Sequence, residues 1–549
     1  MTKYFKLGLS VVITYFIAKL IVTSVFAQNV YSRSSLAKGN IEISVERKIQ
    51  WNAHSLFADS IYHRWAKRDL NPDGGKVNNP RILLAKLLLK KDLADVNATI
   101  LKTVPWGVTG STWAMNKNGD YDFTMTVLTT ILYLFGNQPS ILFPETTQHL
   151  VDVLLIEEGG KFRYKTPNTM GMVDETENHL LMTEGSRYLK NQWKKVKGNN
   201  NPLFDNIANG MEDKLSALLI EMGSAGLYEF NSLPYTGYTI TALLNLEAFA
   251  SDKIRKEARA VLDYMNWCYA IGSYQFKHFA PMRRRYDKVN FDEITNDYHS
   301  VFMKSWISYL PNIPPDHNVN GSEVHAIMGS CMPYRPTDQV VQLLFDKGNG
   351  YFIKIGHGDK TCPEIYAAGN KYLLSAGGTN RGKASDIVAR PIMLFLDDHA
   401  EKLDQSFHLS GPGTDFMRWN NTGVYQNFAC AAGPVFIPKG QVAITENENW
   451  KIYQTPQKLL IAVYSNINFG ILWITDKQNP QTLLQKLIQT NSDNNSIETE
   501  FQIPGGNKIT YDVHSPNDKW VIKTVDAKPL NRDFDKWPLI DGIFNKLNK

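Results

Sequence analysis

Cysteine is scarce in this chain of 549 residues: Cys268, Cys331, Cys362 and Cys430 are all there are. None forms a CxxC pair and none stands at zinc-site spacing from a histidine, so no zinc framework is expected. In an oxidising compartment Cys331 and Cys362 are the pair expected to bridge, and Cys268, inside an apolar helical run, is expected as a buried thiol. Long hydrophobic runs are absent after the first 27 residues, which leaves no later stretch to span a bilayer. A strong charge of either sign is absent too. With 59 basic and 54 acidic residues the formal charge is +5, too small to argue for a nucleic-acid or membrane partner. Nothing in the sequence calls for a cofactor or a metal. In Asp397-Asp398-His399 and His357-Gly358-Asp359 the residues are chain neighbours, which is poor ligand geometry, and both read as turns.

The chain has a globular composition, 43% hydrophobic and 21% charged, with 26 Phe, 25 Tyr and 12 Trp. So many aromatics suit large cores and also carbohydrate stacking surfaces. Lys3 and Lys6, an apolar run from Leu7 to Phe26, and the small-residue exit Val25-Phe26-Ala27 read as a signal peptide over 1–27. Lys19 inside the run argues against a retained membrane helix. Cleavage after Ala27 removes three Lys and no acid, leaving +2. The expected location is secreted or periplasmic, with no membrane partner once the signal is cleaved.

After a polar lead-in over 28–47, helical apolar patterns fill 81–90, 123–135, 149–156, 214–222, 239–249 and 258–270. Several helices open on polar or aromatic residues. Tyr121, Asn178, Tyr238 and Tyr298 mark four such starts at intervals of 57, 60 and 60 residues. A period near 60 with two helices per unit predicts a ring of helical hairpins whose first turns face one cavity. The best-marked start is Asp174-Glu175-Thr176-Glu177-Asn178-His179. Asp174 and Glu177 are spaced as a capping box, and Leu180, Leu181, Tyr188 and Leu189 supply a buried face. Beyond the Pro-, Gly- and Asn-rich region 309–338 the period shortens to strands. These are expected at 340–345, 351–355, 371–375, 435–438, 450–453, 459–464, 470–474, 508–511 and 519–523. One helix is expected among them over 480–489, with Asn479 as N-cap and Pro480 at the first position. The predicted architecture is therefore multidomain: an N-terminal α/α toroid over 48–325 and a C-terminal antiparallel β-sandwich over 326–549.

Asn178, His179, Tyr235, Tyr238 and Arg284 carry the residue types for taking a proton from a carbon beside a carboxylate and expelling an oxygen. Asn178 and an Arg would stabilise the charge that builds on the carboxylate. His179 or a Tyr would act as base, and Tyr238 or Tyr235 would protonate the leaving oxygen. Tyr235 and Tyr238, three apart, equally suit a core face. Trp106, Trp113, Tyr121 and Asp122 suit sugar stacking and hydroxyl hydrogen bonds. Glu177, Arg283, Arg285 and His299 complete the expected substrate-binding set.

On these residues the layout resembles the exported polysaccharide lyases built as an α/α toroid followed by an antiparallel β-sandwich, the heparinase, alginate and chondroitin lyase groups. Asn178-His179 at an inner-helix start is the closest local match. The resemblance implies that one of the two neutralises a uronate carboxylate while the other serves proton transfer. It also implies that Tyr235 or Tyr238 is the catalytic Tyr and that an Arg from 283–285 is the carboxylate partner. The implied substrate is a uronate-containing polysaccharide or oligosaccharide. Two other readings remain: a glycoside hydrolase using a carboxylate pair drawn from Asp122, Glu175 and Glu177, and a glycan-binding protein relying on aromatics such as Trp113.

Overall fold

The computed structural model describes residues 49–71, 75–112, 116–233, 235–284, 290–311, 323–357, 363–378, 387–411, 420–447, 449–476, 478–492, 496–530 and 540–544. The expected signal peptide and lead-in, Trp113, Arg285 and Cys362 lie outside them. The helical first half and the antiparallel second half are both present.

The first half comprises α1 (Leu56–Ala66), α2 (Asn78–Leu88), α3 (Leu93–Lys102), α4 (Asp122–Phe135), α5 (Pro144–His149), α6 (Glu177–Val196), α7 (Met211–Ala225), α8 (Tyr235–Phe249), α9 (Asp252–Gly272), α10 (Tyr298–Ile307), α11 (Glu323–Cys331) and α12 (Asp338–Phe345). Burial separates two kinds of helix. α8 is buried from Thr236 to Glu247 on all sides, as a helix enclosed by others must be. α9 is amphipathic, and Ile254, Ala258, Val261, Leu262 and Met265 form its buried stripe. α2 packs on α4, α4 on α6, α6 on α8, and α8 on α10 and α11; α11 returns to α1 and α2. α9 lies against α7, α8 and α12.

The strands are β1 (Met282–Arg283), β2 (Tyr351–Ile355), β3 (Glu364–Gly369), β4 (Tyr372–Gly377), β5 (Ile387–Val388), β6 (Ile392–Leu396), β7 (His408–Leu409), β8 (Val424–Tyr425), β9 (Phe428–Ala431), β10 (Val435–Phe436), β11 (Thr445–Glu446), β12 (Trp450–Gln454), β13 (Leu460–Ser465), β14 (Gly470–Thr475), β15 (Glu500–Gln502), β16 (Lys508–Tyr511), β17 (Ile522–Val525), β18 (Lys528–Pro529) and β19 (Ile540–Phe544). They form a seven-stranded sheet ordered β10-β7-β6-β4-β3-β2-β19 and a six-stranded sheet ordered β11-β12-β13-β14-β9-β8. A four-stranded sheet runs β15-β16-β17-β18, and β1 pairs with β5.

Alternation along the strands assigns each face. In β3, Ile365 and Ala367 join a core shared with Ile461 and Val463 of β13, while Tyr366 and Ala368 join the core of the helices. In β13, Leu460 and Ala462 face a third core with Phe501, Ile509 and Leu483. Leu483 lies on α13 (Pro480–Thr490), whose N-cap Asn479 accepts from the amides of Gln481 and Thr482, as the Asn-Pro pair predicts.

Several expectations are corrected. The segment 340–345 is helical, not a strand, and α11 and α12 carry the helices past the expected boundary at residue 325. Thr337 caps α12, and Val340, Val341, Leu343 and Leu344 form one buried helical face. A six-residue apolar run satisfies either period until its cap is seen. The capping box at 174–177 does not form. Asp174 pairs with Lys165, Thr176 is the N-cap of α6, and the Glu177 carboxylate accepts from the Glu229 amide at 2.7 Å. Cys331 is a free thiol donating to the Met328 carbonyl oxygen at 3.7 Å, not half of a bridge, and Cys268 is half-buried. No helix among the described residues is long and apolar enough to cross a membrane.

Candidate active site

The first pair of groups meets where α4 starts beside α6. Asp120 has a left-handed backbone with φ 72° that turns the chain into α4. Tyr121 anchors the turn, its ring fully buried and its hydroxyl donating to the Leu154 carbonyl oxygen at 3.0 Å. The next residue, Asp122, is thereby held inside, and its Oδ2 lies 2.7 Å from Nδ1 of His179. Burial alone would lower the imidazole pKa. Asp122, then Glu175, outweigh it and hold the ring at about 9. His179 is therefore an imidazolium at neutral pH, and its Nε2 bonds no described residue.

Beside it, Asn178 is fully buried. Its Oδ1 accepts from the Thr176 hydroxyl at 2.5 Å, and its Nδ2 has no partner. An unpartnered buried donor costs about 1–3 kcal/mol, which a ligand oxygen would relieve. Asp122 Oδ1 is likewise unpartnered.

α8 brings the tyrosines. Phe123 links them to the first pair, its ring centroid 5.5 Å from His179 and 4.4 Å from Tyr238. The Tyr238 hydroxyl bonds no described residue, and burial raises its pKa, opposed by Arg81. Tyr235 lies half-buried beneath the Arg284 guanidinium, 5.2 Å from the ring centroid. Arg284 Nη1 is 2.9 Å from Glu229 Oε1, close enough for an ion pair though not aligned as a hydrogen bond. Burial, with repulsion from Glu177, pushes the Glu229 carboxyl up to about 7 against the pull of Arg284.

Glu229 also lines a cavity between the helices and the seven-stranded sheet, together with Phe230, Thr236, His299, His357 and Glu364. The His357 ring stacks on Phe230 with centroids 3.5 Å apart, and its Nε2 lies 2.6 Å from Glu364 Oε1. The Tyr366 hydroxyl donates to the other Glu364 oxygen.

Neither a known family model nor a curated protein sequence matches this chain. The site therefore rests on its own geometry. His179, held by Asp122, and Tyr238 both pack on Phe123, while Glu177 and Arg284 meet at Glu229, with Arg284 lying over Tyr235. Trp106 is 44% exposed and nearly perpendicular to Tyr121, with centroids 5.5 Å apart. Tyr121 is a correction: a fully buried ring with a committed hydroxyl cannot touch substrate. Arg283 is buried against the faces of Tyr228 and Phe230, 4.4 and 5.4 Å from their centroids. His299 reaches the cavity wall, but its Nε2 is 2.9 Å from Asn266 Oδ1 and burial drives its pKa down to about 3. Glu175 is occupied by the hydroxyl and amide of Ser111, the latter at 2.9 Å.

Sequence reading missed Glu229 and passed over His357 as a turn residue. Glu229 is the one acid in its stretch, and it gains its setting only in the fold, where its amide meets Glu177 and its carboxylate meets Arg284. Among the described residues no three His, Cys, Asp or Glu side chains cluster as metal ligands.

Proposed function

We propose that this chain is an exported polysaccharide lyase that cleaves uronate-containing glycan by β-elimination. The proposed architecture is an α/α toroid, supported by the closed neighbour order α2-α4-α6-α8-α11-α2, followed by a β-sandwich, supported by the core shared between the two large sheets. The observation that carries the reading is the His179 imidazolium, fixed by Asp122, beside the unpartnered amide of Asn178. Together they offer positive charge and an N–H donor to a substrate carboxylate, and would stabilise the charge that grows there as the neighbouring carbon loses its proton. A protonated His179 cannot be the base, so that role moves to a tyrosine. Tyr238 is the base in this reading. Its hydroxyl gives up its proton to solvent as substrate binds, with the Arg81 charge favouring the phenolate against the burial that raises its pKa. The phenolate then takes the proton from the carbon next to the carboxylate. The electron pair forms a carbon–carbon double bond and the glycosidic C–O bond breaks. The leaving oxygen then takes a proton, from Tyr238 or from Tyr235. The test is ultraviolet absorbance on a panel of uronate polysaccharides. An absorbing, unsaturated product that vanishes in His179→Ala and Tyr238→Phe is expected. Absence of that product on every uronate would refute elimination.

One observation favours hydrolysis as the second reading. Glu229, whose carboxyl burial raises to about 7, would serve as general acid with Glu177 as its carboxylate partner. That reading expects reducing ends released without absorbance and lost in Glu229→Gln.

A further inference from the structure

Tyr238 also touches a cluster that none of these roles uses. Arg81, in the first turn of α2, is 1% exposed. Its Nε donates to the Val324 carbonyl oxygen at 2.7 Å and its Nη1 to that of Val77 at 2.8 Å. Its Nη2 bonds no described residue; Tyr238, Cys331 and Tyr298 favour its charge, and that charge in turn disfavours protonation of His325. No carboxylate among the described residues pairs with it. Burial lowers it to about 10, so it stays a cation at neutral pH. A buried cation without a counter-charge is costly.

The residue after Val324 is His325, which is 0% exposed with neither ring nitrogen partnered. Tyr298, Tyr238 and Phe302 surround the ring at centroid distances of 4.3, 4.9 and 5.4 Å. α8 comes close enough only because residue 237 is glycine: a Cβ there would lie 2.5 Å from the imidazole. The starts of α2, α8, α10 and α11 thus converge, and helix N-termini carry partial positive charge. Arg81 Nε ties α2 to Val324, and Nη1 closes on the carbonyl of the helix's own N-cap, Val77. The Nη2 donors, with the His325 N–H, have no such task.

We infer that Arg81 and His325, beside Tyr238, form a subsite for the carboxylate of an acidic sugar, separate from Asn178 and His179. The carboxylate accepts from Arg81 Nη2 and from the imidazole N–H, supplying the anion this cluster lacks. Two carboxylate receptors joined through Tyr238 fit a glycan bearing acid groups on more than one of its sugars. The inference rests on the acidic-glycan reading above.

Calorimetric titration of the full chain with D-glucuronate, D-glucose and acetate tests it, using wild type, His179→Ala, Arg81→Met and His325→Phe. The expected result is glucuronate binding, tighter than glucose or acetate, that survives His179→Ala. It should weaken about tenfold or more in Arg81→Met and in His325→Phe, the loss of one charge-assisted hydrogen bond. His325→Phe keeps an aromatic ring in the packing, so it remains informative where Arg81→Met fails to fold. Equal affinity in either folded variant, equal binding of glucose or acetate, or no saturable glucuronate heat would overturn the subsite. The two readings fail differently. Absorbing product made equally well by Arg81→Met removes the subsite and leaves the lyase. Glucuronate binding lost in Arg81→Met, with no absorbing product from any uronate, removes the lyase and leaves the subsite.

Discussion

His179 shows how one contact resets a residue's chemistry. An imidazole with an ordinary value of 6.5 would be a base at neutral pH. Asp122, 2.7 Å away, holds it at about 9 and makes it a cation. The folded value lies above the unfolded one, so the pair's contribution to stability is complete below about pH 6.5 and disappears as pH rises through about 9. Thermal melts across that range should fall for wild type. In Asp122→Asn the same slope should flatten, because the raised histidine is gone. An unchanged slope would mean that His179 is not raised. Activity should follow the same charge: elimination should decline on the alkaline side as the imidazolium loses its proton, measured as the pH profile of product absorbance.

At the scale of elements, the helix starts position the chemistry, and their spacing is set by small residues and caps. Gly237 lets α8 lie against His325. Gly237→Ala should force the two apart and destabilise the fold by about 1–3 kcal/mol, as overpacking does, read from denaturant unfolding. Thr337 caps α12, and Thr337→Ala should cost about 1 kcal/mol in the same experiment. The helices over 122–135, 235–249 and 252–272 were legible because many turns repeat one pattern. The segment 340–345 was not, because six residues, five of them apolar, carry less than two turns of information. The cap at Thr176 was misread as a box because Glu177 turned to the Glu229 amide, a partner 52 residues away.

At the scale of the whole molecule, helices and sheet share one core. Tyr351 and Tyr366 belong to the helical cluster although they lie in β2 and β3. The Tyr351 hydroxyl donates to the Ile271 carbonyl oxygen at 2.6 Å, and the Tyr366 ring sits where a Cβ on Gly272 would come within 2.6 Å. Lys277 reaches from the helical half to the carbonyl oxygen of Leu396 at 2.5 Å. Tyr366→Ala should therefore cost about 3–5 kcal/mol and lower the helical and sheet signals of a thermal melt together. Separate transitions would show that the halves fold apart. The sequence by itself determined that helices come first and strands after them, and it put Asn178, His179 and the tyrosines at helix starts, because these follow from local period; the exact boundary did not follow, since the run at 340–345 is helical. Only the tertiary structure decided that His179 is raised toward its charged form, that Glu229 stands beside Glu177, and that Arg81 meets no acid among the described residues. Charge state depends on what burial brings within a few ångströms, and those neighbours come from distant parts of the chain.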